Sequence, residues 1–172
     1  MKVLLISLLI SLLSPIYAQK LPNLKLEQVN GKVLELEKLK GNPIVFVNIA
    51  TRCGYTGQLD DLEKLYQKYK AKGLIVVGMP SNDFGGQTPE SNKDVGKFCR
   101  LKYGVTFPLV KKSIVKGPKK SLLAKSLVAD GEEISWNFEK FIVNKEGKVV
   151  SRYKSGVEPL SKDLTKRIEG LL

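Results

Sequence analysis

The residue with the most chemical promise in this sequence is Cys53, in the stretch Asn48-Ile49-Ala50-Thr51-Arg52-Cys53-Gly54-Tyr55-Thr56. An apolar run ends there and an amphipathic helical pattern begins. A helix start presents unpaired backbone N–H groups and the positive end of the helix dipole, surroundings that lower a cysteine pKa from about 8.5 to roughly 3.5–7.5. The position therefore predicts a reactive thiolate, although a lone cysteine after a buried strand can equally be core filler. On residue types alone both readings stand. The chain has no histidine and only two cysteines, which excludes Cys-His and Ser-His-Asp hydrolase chemistry and leaves no zinc-ligand set. No metal or cofactor is expected, and whatever Cys53 does, it does without an imidazole base. The second cysteine, Cys99, lies in Lys97-Phe98-Cys99-Arg100-Leu101-Lys102-Tyr103, on the apolar face of a helical pattern where a thiol is ordinarily buried.

The elements that must position Cys53 are legible in the hydrophobic pattern. Pro43 to Ala50 is a continuous apolar run of strand length, the mark of a strand covered on both faces. From Gly57 to Lys72, Leu59, Leu62, Leu65, Tyr66 and Tyr69 recur at helical spacing, with Gly73 placed to end the helix. Leu74 to Met79 supplies a second buried strand, which completes a βαβ unit with parallel strands. The loop from Pro80 to Pro89 leaves that second strand, a place where open α/β sheets commonly carry function. Ahead of this unit, Leu24–Glu27 and Val33–Leu36 alternate in polarity around Asn30-Gly31 and predict a β-hairpin. Beyond it, helices are expected over Ser91–Tyr103 and Lys119–Val128. A terminal hairpin of Lys140–Val143 and Lys148–Tyr153 comes next, then a helical stripe of Leu160, Leu164, Ile168 and Leu171.

Residues 1–18 differ from the rest. Lys2 is followed by an apolar run from Val3 to Leu13 and then by Ser14-Pro15-Ile16-Tyr17-Ala18, the pattern of a cleavable secretory leader. The run falls short of the roughly 20 residues that span a bilayer. A single domain over 19–172, exported to a periplasm or the exterior and not inserted in a membrane, is the expectation. The formal net charge of +12 favours anionic partners. The densest basic cluster, Lys111, Lys112, Lys116, Lys119 and Lys120, lacks interleaved aromatics for base stacking, so a solvated face is expected there and no nucleic-acid partner.

A buried βαβ unit with a cysteine at its first strand-to-helix junction, followed by an antiparallel hairpin and a helix, points to an α/β, thioredoxin-like fold: a central mixed sheet flanked by helices, with an N-terminal β-hairpin. Thr56 stands where a Cys-x-x-Cys motif would have its second cysteine, which points away from dithiol oxidoreductases. The sequence resembles the glutathione peroxidase family over nearly all of 19–172. The resemblance rests on Asn48–Thr56, Pro80-Ser81-Asn82-Asp83-Phe84-Gly85-Gly86-Gln87-Thr88-Pro89, Tyr103-Gly104-Val105-Thr106-Phe107-Pro108 and Trp136-Asn137-Phe138-Glu139-Lys140-Phe141.

It implies a cysteine-containing, non-selenium, thioredoxin-dependent type in which Cys53 reduces the peroxide, supported by Gln87, Trp136 and Asn137. Each of the three also has a plain reading, Trp136 as packing and the two amides as loop residues. Their carboxamide and indole N–H groups can favour a thiolate and polarise a peroxide without a histidine. By the same resemblance Cys99 becomes the resolving thiol, forming a disulfide with the Cys53 sulfenic acid that a thioredoxin-like donor or glutathione reduces. Because disulfide Cα atoms must come within about 7 Å, oxidation is expected to loosen the helix that carries Cys99. Arg52 is a weaker candidate for assisting the thiolate. Ser81 replaces a further cysteine of many relatives, and the short Lys116–Glu133 segment lacks the insertion of tetrameric relatives, so a monomer is expected. The expected substrates are hydrogen peroxide and organic hydroperoxides. The alternatives are a peroxide sensor that relays oxidation to a client protein and a non-catalytic binding module.

Overall fold

A computed structural model describes residues 20–129 and 131–172; the expected leader over 1–18 lies outside the described residues. Among the described residues, six strands and four α-helices follow in the order β1 Lys25–Glu27, β2 Val33–Glu35, β3 Ile44–Ile49, α1 Gln58–Tyr69, β4 Ile75–Pro80, α2 Asn92–Tyr103, α3 Leu122–Val128, β5 Lys140–Val143, β6 Val149–Tyr153 and α4 Lys162–Glu169. The main sheet has the order β4-β3-β5-β6, and β1 and β2 form a separate antiparallel hairpin. β3 runs parallel to β4 and antiparallel to β5, so the expected mixed sheet with β3 at its centre is present.

Every residue of β3 is buried, and its side chains alternate between two cores. Val45, Val47 and Ile49 join Leu59, Leu62 and Leu65 of α1, Val95 and Cys99 of α2, and Leu164 and Ile168 of α4. Phe46 faces the other way, with Val77 and Met79 of β4, Phe141 of β5 and Leu123, Ala124 and Leu127 of α3. The apolar run of β3 thus reflects helices on both sides of the sheet. No described helix is long and apolar enough to cross a membrane.

The helix ends follow their local chemistry. α1 tightens into a 3₁₀ turn over Lys70–Lys72 and stops at Gly73, and α2 is capped by the Ser91 side chain and closed by Gly104. α3 starts at Leu122, later than the Lys119 expected from periodicity. The cause is local: the Lys120 N–H turns back to the Gly117 carbonyl, and the Ser121 hydroxyl accepts the Ala124 N–H as an N-cap. α4 covers Lys162–Glu169, leaving Leu160 ahead of it and partly exposed.

One glycine in the sheet holds a motif segment in place. A Cβ on Gly78 of β4 would lie 2.6 Å from Leu109 Cδ2, and the close approach lets Gly78 bond to both sides of the 108–110 segment. Its N–H donates to the Pro108 carbonyl and its carbonyl accepts the Val110 N–H. The Phe107-Pro108 motif is thereby fixed along β4.

Candidate active site

Cys53 lies beyond the C-terminal end of β3, in a run of turns that leads into α1. The helix-start amides that sequence reasoning assigned to the thiolate are already in use. Gln58 N–H donates to Tyr55, Leu59 N–H to Thr56 and Asp60 N–H to Gly57. Among the described residues the hydrogen bond to Cys53 Sγ comes instead from the Tyr55 N–H, at 3.5 Å. Thr56, in the place of a second motif cysteine, closes the turn. Its hydroxyl accepts the Cys53 N–H and donates to the Ala50 carbonyl, each at 3.0 Å. The thiol is half-buried against the α1–α2 core.

The loop after β4 meets this turn through its backbone. The Gln87 carbonyl accepts the N–H groups of Thr51 at 3.2 Å and Arg52 at 3.0 Å. Gly85 and Gly86 both take positive φ, +62° and +65°, a conformation that a side chain at either position would oppose. Lys112 buttresses the loop from below, its Nζ donating to the carbonyls of Thr88 at 3.0 Å and Glu90 at 2.7 Å.

Trp136 and Asn137 arrive from the segment ahead of β5. Asn137 is fully buried and its Nδ2 donates to Gln87 Oε1 at 2.9 Å. Gln87 Nε2 and the indole N–H of Trp136 make no hydrogen bond among the described residues, and the buried Asn137 Oδ1 has no partner. Trp136 is 40% exposed and its ring lies 5.7 Å from that of the buried Phe84. The structure therefore joins Gln87 to Asn137 directly and to the Cys53 turn through backbone. None of the three side chains is hydrogen-bonded to the sulfur itself.

Arg52, the weaker candidate, is turned away from this role. Its Nε pairs with Glu90 Oε1 at 2.8 Å while its side chain remains largely exposed. Cys99 is completely buried in α2, within the same core that Cys53 borders, and burial pushes its thiol up to about 12.

Sequence reasoning gave Asn48 no role. It is the polar residue in an otherwise apolar strand, and its side chain holds the Trp136 segment in place. Nδ2 donates to the Trp136 carbonyl and Oδ1 accepts the Glu139 N–H, each at 3.0 Å, while its own carbonyl accepts the Phe138 N–H at 2.6 Å. Phe138 adopts φ +65°, a left-handed conformation that costs a non-glycine residue about 1–2 kcal/mol. The Asn48 bonds on both sides stabilise it. A buried amide inside a hydrophobic strand was the available signal.

A family model described as glutathione peroxidase matches residues 21–128. Glutathione peroxidase-like peroxiredoxin HYR1 of Saccharomyces cerevisiae is 43% identical over 148 residues, spanning 83% of this chain and 90% of its own. Glutathione peroxidase homolog BsaA of Staphylococcus aureus is 40% identical over 151 residues, 85% of this chain and 94% of its own. Among solved structures, T. cruzi GPX1 is similar with a TM-score of 0.71 at 28% identity, covering 89% of this chain and 96% of that one. A putative protein disulfide isomerase from Bacteroides thetaiotaomicron, with a TM-score of 0.66 at 22% identity, covers 90% of this chain and 88% of that one and shares the fold. With its thioredoxin-like sheet and a cysteine on the turn after the central strand, this chain belongs to the glutathione peroxidase family and is a thiol peroxidase.

Proposed function

We propose that Cys53 is the peroxide-reducing residue, that Gln87, Trp136 and Asn137 serve it, and that Cys99 resolves the oxidised form. The observation that carries this reading is the Asn137–Gln87 hydrogen bond. By occupying Gln87 Oε1 it turns the amide so that Nε2 is left to donate, and the indole N–H of Trp136 is likewise unengaged among the described residues. In the reaction the Cys53 thiolate attacks the terminal oxygen of a hydroperoxide. The S–O bond forms as the O–O bond breaks, and the departing alkoxide takes a proton and leaves as the alcohol, or as water from hydrogen peroxide. Neutral N–H donors stabilise the charge that develops on that oxygen. Cys53 is left as a sulfenic acid.

The Cys99 thiol then displaces hydroxide from the Cys53 sulfur, giving water and a disulfide, and an external dithiol of thioredoxin type reduces the disulfide by exchange. Glutathione is the alternative reductant. Because Cys99 is fully buried in α2, resolution requires that helix to open locally. The protein acts on hydrogen peroxide and organic hydroperoxides as a monomer, exported by a leader over residues 1–18 that is cleaved off in the process.

Mass spectrometry of peroxide-treated protein tests the cycle. A Cys53–Cys99 bridge in the wild type and a sulfenic acid trappable at Cys53 in Cys99→Ser are expected, whereas oxidation at Cys99 with Cys53 untouched would refute it. A second reading has one observation in its favour: a resolving thiol held neutral and buried prolongs the sulfenic acid, which suits a relay that oxidises a client protein. Sustained peroxide consumption with a generic dithiol identifies the enzyme; a single turnover that then stalls until a client is added identifies the relay.

A further inference from the structure

Lys140 of β5 is fully buried, a rare place for an ammonium group. Its Nζ donates to Gln58 Oε1 at 2.5 Å, to the Val157 carbonyl at 2.6 Å and to the Ser155 carbonyl at 3.2 Å. None of these acceptors is a carboxylate. The charges that act on the amine are Glu158, in the loop that supplies the carbonyls, and Glu139, the residue just ahead of β5. Glu139 is itself taken by Arg152. Burial pulls the lysine down to about 8, with those two carboxylates opposing it. An apolar side chain of similar length would fill the space without the desolvation cost, so packing alone does not account for an amine at this point.

Its acceptors share a location beneath the Cys53 turn. Gln58 opens α1, donates through Nε2 to the same Ser155 carbonyl at 2.8 Å, and donates its backbone N–H to the Tyr55 carbonyl at 2.9 Å. Gly156, between the two carbonyls that Lys140 holds, faces the Tyr55 hydroxyl, which would lie 3.9 Å from a Cβ there. Tyr55 in turn supplies the N–H donor to Cys53 Sγ. We infer that Lys140 is a positioning residue for the reacting sulfur: it locks the first residue of α1 and the 155–157 loop into one block that holds the Tyr55 N–H against Cys53. This rests on Cys53 being the attacking residue and extends that reading to the support behind it.

The test uses a Cys99→Ser background, so that one thiol reports, with and without Lys140→Met. Iodoacetamide alkylation of Cys53 is followed from about pH 5 to 9, together with single-turnover oxidation by hydrogen peroxide. Losing one well-held donor to a thiolate should slow alkylation at neutral pH about tenfold, raise the pH at which alkylation reaches half its plateau, and slow oxidation in step. A lysine with a purely structural role would lower thermal stability and leave that half-plateau pH in place, and this result overturns the inference. Gln58→Leu keeps the lysine and cuts the side-chain links of α1 to it and to the Ser155 carbonyl. It should shift the profile in the same direction, and it decides the matter if Lys140→Met does not fold, an unmoved profile again being the overturning result. Should peroxide fail to oxidise Cys53 in the parent protein, the catalytic reading falls, while the alkylation profiles still report whether Lys140 positions the sulfur.

Discussion

Thr56 holds the Cys53 turn closed with one hydroxyl that serves as acceptor and donor at once. Thr56→Val keeps the branched shape and removes both bonds, leaving the half-buried Cys53 N–H and the buried Ala50 carbonyl without these partners. A loss of about 1–3 kcal/mol is expected, read from urea unfolding, with slower oxidation of Cys53 in single turnover. Asn48→Leu should be at least as costly, because it strips the Trp136 carbonyl and the Glu139 N–H together. Its signature is a fall in peroxidase rate larger than the change in apparent peroxide affinity, since the Trp136–Asn137 segment moves while Cys53 stays in place. These two residues also mark the limit of what the sequence makes legible. Cys53, Gln87, Trp136 and Asn137 stand out through motifs, whereas the work of Asn48 depends on partners 88 and 91 positions away, a separation that no local pattern encodes.

At the scale of elements, α2 carries the mechanistic weight. Gly96 sits in its middle, where an added Cβ would meet Val29 Cγ2 at 2.9 Å, so close packing is gained at the expense of helix propensity, about 1 kcal/mol relative to alanine. Such a helix is suited to opening. In the reduced protein, iodoacetamide should label Cys53 and spare Cys99, whose thiol is buried and neutral at ordinary pH. Peptide mass mapping checks this. After peroxide treatment, amide exchange across 92–103 should accelerate, and unchanged protection despite a formed disulfide would show that resolution does not pass through helix opening. Helix and strand positions were readable because apolar spacing and capping glycines act locally. The start of α3 was not, because a turn at Gly117 and the Ser121 cap overrode the periodicity. The occupied helix-start amides of α1 were also hidden, since a run of tight turns ahead of a helix has no hydrophobic signature.

For the whole molecule, acid should be more damaging than base. Glu139 is buried, and although burial opposes ionisation, hydrogen bonds from Ser135 and the Arg152 guanidinium hold its carboxyl below the ordinary 4.5. Glu63, bonded by Thr106, and Glu90, bonded by Thr51 and Arg52, are lowered for the same kind of reason against the same opposition from burial. A depressed folded-state pKa contributes stability above the unfolded value that is lost as pH falls through the folded one. Thermal midpoints should therefore hold down to about pH 5 and drop steeply below 4.5. Glu139→Gln should blunt the drop.

Leu21 donates its N–H to the Gly147 carbonyl, and Lys20 bridges to Lys148, in the turn between β5 and β6. That turn adjoins the start of β3, because Val143 pairs with Ile44, whereas the reactive thiol follows the strand's other end. The Lys20–Leu21 segment and the nucleophile thus lie towards opposite ends of β3, separated by a strand length of roughly 20 Å. A tether or tag fused directly ahead of Lys20 would anchor the molecule by its back and leave the sulfur facing outward, which makes that side the place to immobilise it without obstructing peroxide.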